Sequence, residues 1–428
     1  MEATNFNTML KALRGVDGTG LQLSTNVAPF AEFPLSEYAS RYARAARLME
    51  EAGIDALLLT HELNVRYFSG YLTILWESRF RSLMLLLPRD PAIAPTLIFP
   101  GQETGNARGT SWVTDHMIYP DQDNPIPYVV QALEDKGLAT STVGMELGFG
   151  QRLGMSQDDF ADLRRALPEA KIESATELIQ TVRMIKSTAE VERVQRACDI
   201  SQTAVKEGFS ALHRGMTEKQ LGAVLGSAMY REGAELSSRP SFLTVSSYPG
   251  RPMMVNSLAS DHAIQPGEMV MLDGGATYGG YATDFIRQAC LGEPSKEQRK
   301  WFEVAIEAND ACIAAVRPGA TGADVYEAGL GVFLRHDLAQ YNLINIVGHG
   351  TGMEVHELPW LGERDLVYST DTQLEPGMVL CVEPVIAGMD SPDMQAGIFI
   401  VEDKLLVTKE GCKVLTTSLG KDLWVQPE

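Results

Sequence analysis

The sequence has 428 residues, 45% of them hydrophobic, and a formal net charge of −20 at pH 7. This length and composition predict two or three domains with substantial cores, and the negative charge argues against binding to nucleic acid or to anionic membrane surfaces. No apolar run approaches the roughly 18 residues of a membrane-spanning helix. Residues 1–5 lack the features of a signal peptide and the five cysteines are scattered, which favours a cytoplasmic protein with reduced thiols.

The first part of the chain alternates between strand-like and helix-like segments. Residues 1–33 show no regular pattern and are predicted to form an irregular arm. From Ser36, apolar residues recur at helical spacing until Gly53, a typical stop signal. The alternation that follows is typical of a three-layer α/β domain. The predicted strands cover residues 55–60, 82–87, 96–99 and 143–147, and the predicted helices cover residues 125–135 and 156–167.

The second part of the chain is predicted to contain two similar halves, each with two helices followed by strands. Three of the four helix starts carry a polar capping residue with an acidic or amide side chain three positions later. In such a duplicated plan, a site formed by residues from both halves would lie at the seam between the halves. The predicted helices begin at Thr188, Thr217, Ser295 and Thr321, and the strands of the two halves end at Leu291 and Val407.

Acidic residues interrupt apolar strand-like segments in both halves. Asp273 and Asp284 flank a glycine-rich reversal, and His349, Glu383 and Glu402 lie in similar surroundings further along. Because Asp is disfavoured in strands and costly to bury unpaired, the first two imply a cation or a shared hydrogen-bond network, although a solvated hairpin tip is the alternative for that pair alone. Four carboxylates and one imidazole suit two divalent ions of the Mn, Fe, Co or Zn kind, whose charge the carboxylates would cancel.

In order and spacing, these residues resemble the pita-bread metallopeptidase family, which includes methionine aminopeptidase, aminopeptidase P, prolidase (Xaa-Pro dipeptidase) and the metal-free relative creatinase. Residues 64–71 and 183–187 resemble the amino-terminal domain and the linker of creatinase and prolidase. The resemblance covers nearly the whole chain. It implies an α+β pita-bread catalytic domain at residues 183–428, preceded by a three-layer α/β creatinase-type domain at residues 1–182.

The resemblance also implies a role for each ligand. Asp273 would chelate one metal, Asp284 and Glu402 would bridge both metals, and His349 and Glu383 would complete the second site. A match of five ligands in the same order is far more specific than a single short motif.

A hydrolytic reaction follows from this ligand set. The expected nucleophile is a hydroxide that bridges the two metals, and Glu383 is expected to pass the proton of the water to the leaving nitrogen. His356 matches the family residue that steadies the tetrahedral intermediate; an isolated loop histidine is structural by default, but its place seven residues after His349 favours the catalytic interpretation. The expected reaction is cleavage of an amide-type C–N bond, as in an Xaa-Pro dipeptidase.

Two candidate substrate-binding positions depart from the family pattern. Asn256 stands where the family has a histidine, and Ile400 stands where many of its peptidases have an arginine. Asn can hydrogen-bond a carbonyl but carries no proton at neutral pH. These departures leave open a catabolic relative that acts on a non-peptide, such as creatinase, ectoine hydrolase or dimethylsulfoniopropionate lyase. A third alternative, a non-catalytic binding protein, is disfavoured by the intact ligand set.

Two arginines are further candidates for substrate contacts. Arg79 and Arg81 lie where creatinase, by resemblance, contacts the substrate carboxylate from the partner subunit. Arginine is a natural bidentate partner for a carboxylate, although two solvated surface arginines are the alternative. The resemblance therefore implies a homodimer that acts on a dipeptide or another small molecule.

Overall fold

The structure is a computed structural model that describes residues 6–23, 28–235, 242–247, 258–342, 344–387 and 397–428, with the backbone alone for 242–247. The chain divides into two compact units, Met1–Arg183 and Met184–Glu428. A search of the described helices finds none with the length and apolar character that would let it span a membrane.

The first unit is built on a mixed sheet. Its strands are β1 (Ala56–Leu59), β2 (Met84–Pro88), β3 (Thr96–Pro100), β4 (Asp115–Tyr119), β5 (Thr142–Met145) and β6 (Lys171–Ser174). They are ordered β4-β3-β2-β1-β5-β6, with β1 parallel to β5 and antiparallel to β2. Every residue of β1, β2 and β3 is buried. Because successive side chains point to opposite faces of a sheet, both faces of these strands are covered.

Helices of the first unit follow the predicted alternation. They are α1 (Phe6–Ala12), α2 (Leu35–Ala52), α3 (Glu62–Ser69), α4 (Thr104–Thr110), α5 (Ile126–Asp135), α6 (Gln157–Ala166) and α7 (Thr176–Met184), with 3₁₀ turns at Ile74–Glu77 and Gly101–Glu103. Gly53 ends α2 in the left-handed conformation, at φ 68°, which confirms the predicted stop. The prediction of an irregular arm over residues 1–33 was wrong at α1, whose Phe6 and Leu10 are buried; tertiary packing stabilises this short helix where local propensity does not.

The second unit contains two pairs of packed helices and several sheets. The helices are α8 (Thr188–Ala211), α9 (Glu218–Arg231), α10 (Lys296–Ala315) and α11 (Gly322–Arg335), with a 3₁₀ turn at Ala339–Tyr341. The strands are β7 (Phe242–Ser247), β8 (Met269–Gly274), β9 (Thr277–Tyr278), β10 (Tyr281–Ala282), β11 (Phe285–Leu291), β12 (Ile346–Gly350), β13 (Glu357–Gly362), β14 (Val379–Val382), β15 (Val385–Ala387), β16 (Ile398–Ile400), β17 (Asp403–Val407), β18 (Cys412–Val414) and β19 (Trp424–Gln426).

The duplicated plan predicted for this part of the chain is confirmed. Each half has two helices and then a sheet, in the orders β19-β11-β8-β7 and β13-β12-β14-β17-β18. Capping boxes open all four helices, at Ser187, Thr217, Ser295 and Thr321. One core lies between the helices α8 and α9 and the strands β8 and β11, and another packs α10 and α11 against β16. The two sheets bring the acidic strands of both halves together.

Candidate metal centre

The hairpin of the first half positions Asp273 and Asp284. The strands β8 and β11 pair antiparallel, with Asp273 opposite Ile286. The intervening reversal needs left-handed backbone at Gly279 and Gly280, with φ of 55° and 80°, a conformation that glycine adopts without strain. Asp273 is half-buried and Asp284 is buried. Both carboxylates therefore reach one end of the sheet, as the sequence pattern indicated.

The strand β12, which lies between β13 and β14, carries His349, which is completely buried. Gly348 precedes it at φ 152°, and a Cβ at this position would lie 2.0 Å from the carbonyl oxygen of Cys381, so only glycine permits this approach of β12 to β14. The Nδ1 of His349 donates to the carbonyl oxygen of Gly350 at 2.8 Å. This hydrogen bond fixes the tautomer and leaves Nε2 as the free ring nitrogen, the arrangement typical of a histidine that binds a metal.

Carboxylates from three segments surround this ring nitrogen. His349 Nε2 lies 3.3 Å from Glu383 Oε1 and 3.6 Å from Asp284 Oδ2. Ligand atoms of Asp284, His349, Cys381 and Glu402 all lie within 4.8 Å of one another, and all four residues are buried. Because the two halves contribute to this group, it lies at their seam.

Strong electrostatic repulsion marks the cluster. Burial raises the pKa of Asp273 and of Glu402 well above their ordinary values, and neighbouring carboxylates raise it further. Burial also raises the pKa of Asp284 to about 6. For His349, burial alone would lower the pKa, but Glu383 and Asp284 raise it above the ordinary value. Several acids forced together in this way are typical of a functional site.

The residues present fit divalent metal ions. Within the described part of the chain, His349 Nε2 and both carboxylate oxygens of Glu402 are buried without a hydrogen-bond partner. Leaving such groups unsatisfied costs about 1–3 kcal/mol each, and more when they are charged. A cation bound among them would satisfy these atoms and offset the repulsion between the carboxylates. The mixed oxygen and imidazole donors suit Mn, Fe, Co or Zn.

Two residues at the cluster were not among the predicted ligands. Cys381 is one of the five cysteines for which the sequence predicts only a reduced thiol, yet its Sγ lies among the ligand atoms and donates to the carbonyl oxygen of Asp284 at 3.5 Å. Lys404 is completely buried, and its Nζ donates to the carbonyl oxygen of Ala282 at 2.7 Å. Lys404 follows two acidic residues and precedes an apolar run, a pattern that gives no sign of its burial.

His356 lies beside the cluster and is not part of it. Its ring packs edge-on against His349, with 4.3 Å between the centroids, and stacks on Trp360 at 5.8 Å. The residue as a whole remains solvent-exposed. Partial desolvation of the ring where it packs against its neighbours, with a contribution from His349, lowers the pKa of His356 to about 4, so the imidazole is neutral at pH 7 and retains one N–H donor.

The remaining candidate substrate-binding residues come from different parts of the chain. Asn256 lies outside the described residues. Ile400 is buried in a small apolar cluster with Met271 and Ile286, two residues before Glu402. In the first unit, Arg79 is solvent-exposed. The Nε and Nη2 atoms of Arg81 donate to the two carboxylate oxygens of Asp121, at 2.6 and 2.9 Å. This bidentate pair within the first unit already uses the donors that a substrate carboxylate would need.

Comparison with known proteins places this site in context. The sequence matches the profile of metallopeptidase family M24 over residues 192–409 and that of the creatinase/prolidase N-terminal domain over residues 41–185. It is 28% identical to an Xaa-Pro dipeptidase of Pyrococcus furiosus, covering 88% of this chain and 97% of that one.

Solved structures give the same result. An Xaa-Pro dipeptidase from Bacillus anthracis has a TM-score of 0.77 and 25% identity, covering 91% of this chain and 99% of its own. An X-Pro aminopeptidase from Thermotoga maritima has a TM-score of 0.75 and 25% identity, covering 90% and 99%. These likenesses confirm the expected fold, a pita-bread domain preceded by a creatinase-type domain.

Proposed function

Because the chain belongs to metallopeptidase family M24, we propose that it is a metal-dependent hydrolase of the Xaa-Pro dipeptidase type. The observation that carries this proposal is the group formed by Asp284, His349 and Glu402, whose buried ligand atoms converge from both halves of the second unit. The relatives named as Xaa-Pro dipeptidases match along nearly their entire length. They therefore favour a dipeptide over the non-peptide alternatives.

The proposed cofactor is a pair of divalent ions of the Mn, Fe, Co or Zn kind. Asp273 would bind one ion, Asp284 and Glu402 would bridge the two, and His349 and Glu383 would complete the second site. Four carboxylates match the charge of two such ions, whereas a single ion would leave negative charge uncompensated in a buried site. The short separations of Asp284, Glu383 and Glu402 from His349 support the assignment of these four ligands.

Each residue of the site has a distinct chemical role in this proposal. When bound, the ions lower the pKa of water and polarise a carbonyl group. His349 holds its Nε2 towards the carboxylates through the hydrogen bond from Nδ1. Glu383 keeps 17% of its side chain exposed, so one of its oxygens can take a proton from water and deliver it to the leaving nitrogen. Neutral His356 can donate a hydrogen bond to the oxygen on which negative charge develops.

The substrate pocket is proposed to differ from that of family members with the usual histidine and arginine. Ile400 presents a buried apolar side chain two residues from Glu402, where an arginine would supply a carboxylate contact. A carboxylate partner would then come from elsewhere. Arg79 is the better candidate, because Arg81 is bound by Asp121, and in a homodimer it would act from the second copy. Asn256 would hydrogen-bond a substrate carbonyl.

Metal analysis and a substrate panel test the proposal. Protein purified without chelator is expected to contain two transition-metal ions per chain, by elemental analysis. Supplied with Mn or Co, it is expected to release proline from Xaa-Pro dipeptides and to leave guanidino and N-acyl non-peptides intact. Absence of bound metal after reconstitution would refute the metal site, and cleavage of the non-peptides alone would refute the substrate class while retaining the hydrolase.

A further inference from the structure

Lys404 is a lysine with 0% of its surface exposed. Lysine is almost never fully buried unless its charge is paired. Its Nζ donates to the carbonyl oxygen of Ala282 at 2.7 Å and to Thr351 Oγ1 at 3.1 Å, and both of these acceptors are neutral. Across the described ranges, no carboxylate forms a direct ion pair with it, so its positive charge must be balanced by acidic groups further away.

The position of Lys404 in the fold identifies those groups. Lys404 follows Glu402 by two residues, and its Cα lies opposite that of Cys381 in the pairing of β14 with β17. Both of its acceptors, like Cys381, lie two residues from a proposed metal ligand. Ala282 lies two residues before Asp284, Thr351 lies two residues after His349, and Cys381 lies two residues before Glu383. The ammonium therefore touches or adjoins four of the five segments that form the metal site.

Other cations near β17 already have a carboxylate partner. Arg287 and Lys421 lie 2.7 and 3.2 Å from the carboxylate oxygens of Asp403. Burial alone would raise the pKa of Asp403, but these two cations lower it. Successive residues of a strand point to opposite faces, so Asp403 and its partners lie on the other side of β17 from Lys404. Lys404 instead faces Ala282 and Thr351, whose segments carry Asp284 and His349.

We propose that Lys404 is a resident counter-ion of the acid cluster in the metal-free protein. Without metal, the clustered carboxylates repel one another, and the ammonium offsets one of their charges. With two divalent ions bound, the carboxylates are already neutralised, and the same ammonium repels the ions. Lys404 thus stabilises the empty site and weakens its affinity for metal. This inference rests on the proposed function, because it concerns the same acid cluster.

The opposite signs of these two effects provide the test. The methionine of Lys404→Met has a similar length and no charge. Metal is first removed with chelator and the chelator is then removed; cobalt is expected to bind this metal-free variant at least about tenfold more tightly than the wild type, as measured by titration calorimetry. The same variant is expected to unfold at a lower temperature in chelator. Lys413 is an exposed lysine of the adjacent strand β18, so Lys413→Met is the matched control and should change neither quantity. Unchanged or weaker cobalt binding by Lys404→Met would show a packing or positioning role and overturn the proposal.

A second comparison decides the matter if Lys404→Met does not fold in chelator. Adding Asp284→Asn removes one of the repelling charges, so the double variant is expected to be more stable in chelator than Lys404→Met alone. Equal or lower stability would overturn the counter-ion role, since independent packing losses add. This comparison needs no bound metal. A wild-type protein that takes up no cobalt would therefore refute the proposed function while the stability comparison still tests Lys404.

Discussion

At the scale of single residues, Asp284 tests the proposed bridge most directly. Asp284→Asn keeps the volume of the side chain and removes the charge. We expect activity to fall by more than 100-fold, because even the partners that orient metal ligands contribute about 10–100-fold, and we expect fewer than two metal ions per chain. Kinetics and elemental analysis measure the two effects.

Asp422 is an exposed aspartate of the same unit, and Asp422→Asn is the matched control. It should retain both metal ions and full activity. An Asp284→Asn protein with normal turnover and normal metal content would remove this residue from the site.

Affinity for metal should depend on pH because protons compete for the same oxygens. Burial raises the pKa of Asp284 to about 6 in the metal-free protein, so at pH 5 a bound metal must displace a proton that is already absent at pH 7. For one such group, the affinity at pH 5 is expected to be about tenfold lower than at pH 7. Titration calorimetry in buffers of different ionisation enthalpy would also detect the released proton, and an affinity that is constant over this range would contradict the assignment.

The two neighbouring histidines should separate binding from catalysis. His349→Ala is expected to lose metal, since its Nε2 lies among the carboxylates. His356→Ala is expected to keep both ions and to lose about 100-fold in kcat, the lower end for a positioned proton donor. Metal content measured beside kcat distinguishes the two variants. Loss of metal from His356→Ala would move this residue into the coordination sphere.

Residues of the cluster that are unusual in a strand can be recognised from the sequence, whereas a residue that is unusual only because of its burial cannot. Asp284, His349 and Glu402 were recognised because acids and an imidazole inside strand-like segments need an explanation, and the structure brings them together. Lys404 was missed because lysine is ordinarily exposed. Its burial depends on the register that places it opposite Cys381, which the spacing of residues along the chain does not reveal.

At the scale of elements, a buried ion pair holds the loop between the two histidines. Lys186 Nζ lies 2.9 Å from Glu357 Oε2, with side chains 2% and 7% exposed. Glu357 also accepts a hydrogen bond from the backbone of Glu354. A Cβ on Gly352 would lie 2.6 Å from the same carboxylate. The loop therefore folds closely around this ion pair, next to His356.

Removing the cation should destabilise this loop. Lys186→Met removes the cation that lies against the buried carboxylate of Glu357, and removing one partner of a comparable buried pair costs about 3–5 kcal/mol. Thermal unfolding of the variant and the wild type in the presence of chelator measures the loss of stability. The double variant Lys186→Met with Glu357→Gln also removes the charge of the carboxylate and is expected to recover much of the lost stability. A Lys186→Met protein as stable as the wild type would show that the pair contributes nothing to the fold.

Elements with strong local signals were predicted accurately, and those that depend on distant partners were not. The capping residues Thr217, Ser295 and Thr321 open helices where the sequence indicated. In contrast, β19 has only three residues and forms by pairing with β11 of the first half. No local pattern predicts a strand whose stability comes from a partner more than a hundred residues away.

At the scale of the whole molecule, metal should stabilise one part of the chain selectively. The two units have separate cores, and all five proposed ligands belong to Met184–Glu428. Metal at about 1,000 times its dissociation constant contributes about 4 kcal/mol to a folded state that binds it. For a unit of this size, that corresponds to a shift in melting temperature of roughly 10 °C.

Differential scanning calorimetry with and without chelator tests this selectivity. We expect a metal-dependent transition from the second unit and a metal-independent one from the first. The pH dependence gives a further check. The folded-state pKa of Asp284 is raised from 3.8 to about 6. The free energy of unfolding of the metal-free second unit should therefore decrease as pH rises through that interval, because the folded state then loses the proton that it binds more tightly than the unfolded state does. Bound metal excludes the proton, so the stabilisation by metal should grow with pH. Equal shifts of both transitions, or a shift that is the same at pH 5 and pH 7, would contradict a metal centre confined to the acid cluster of the second unit.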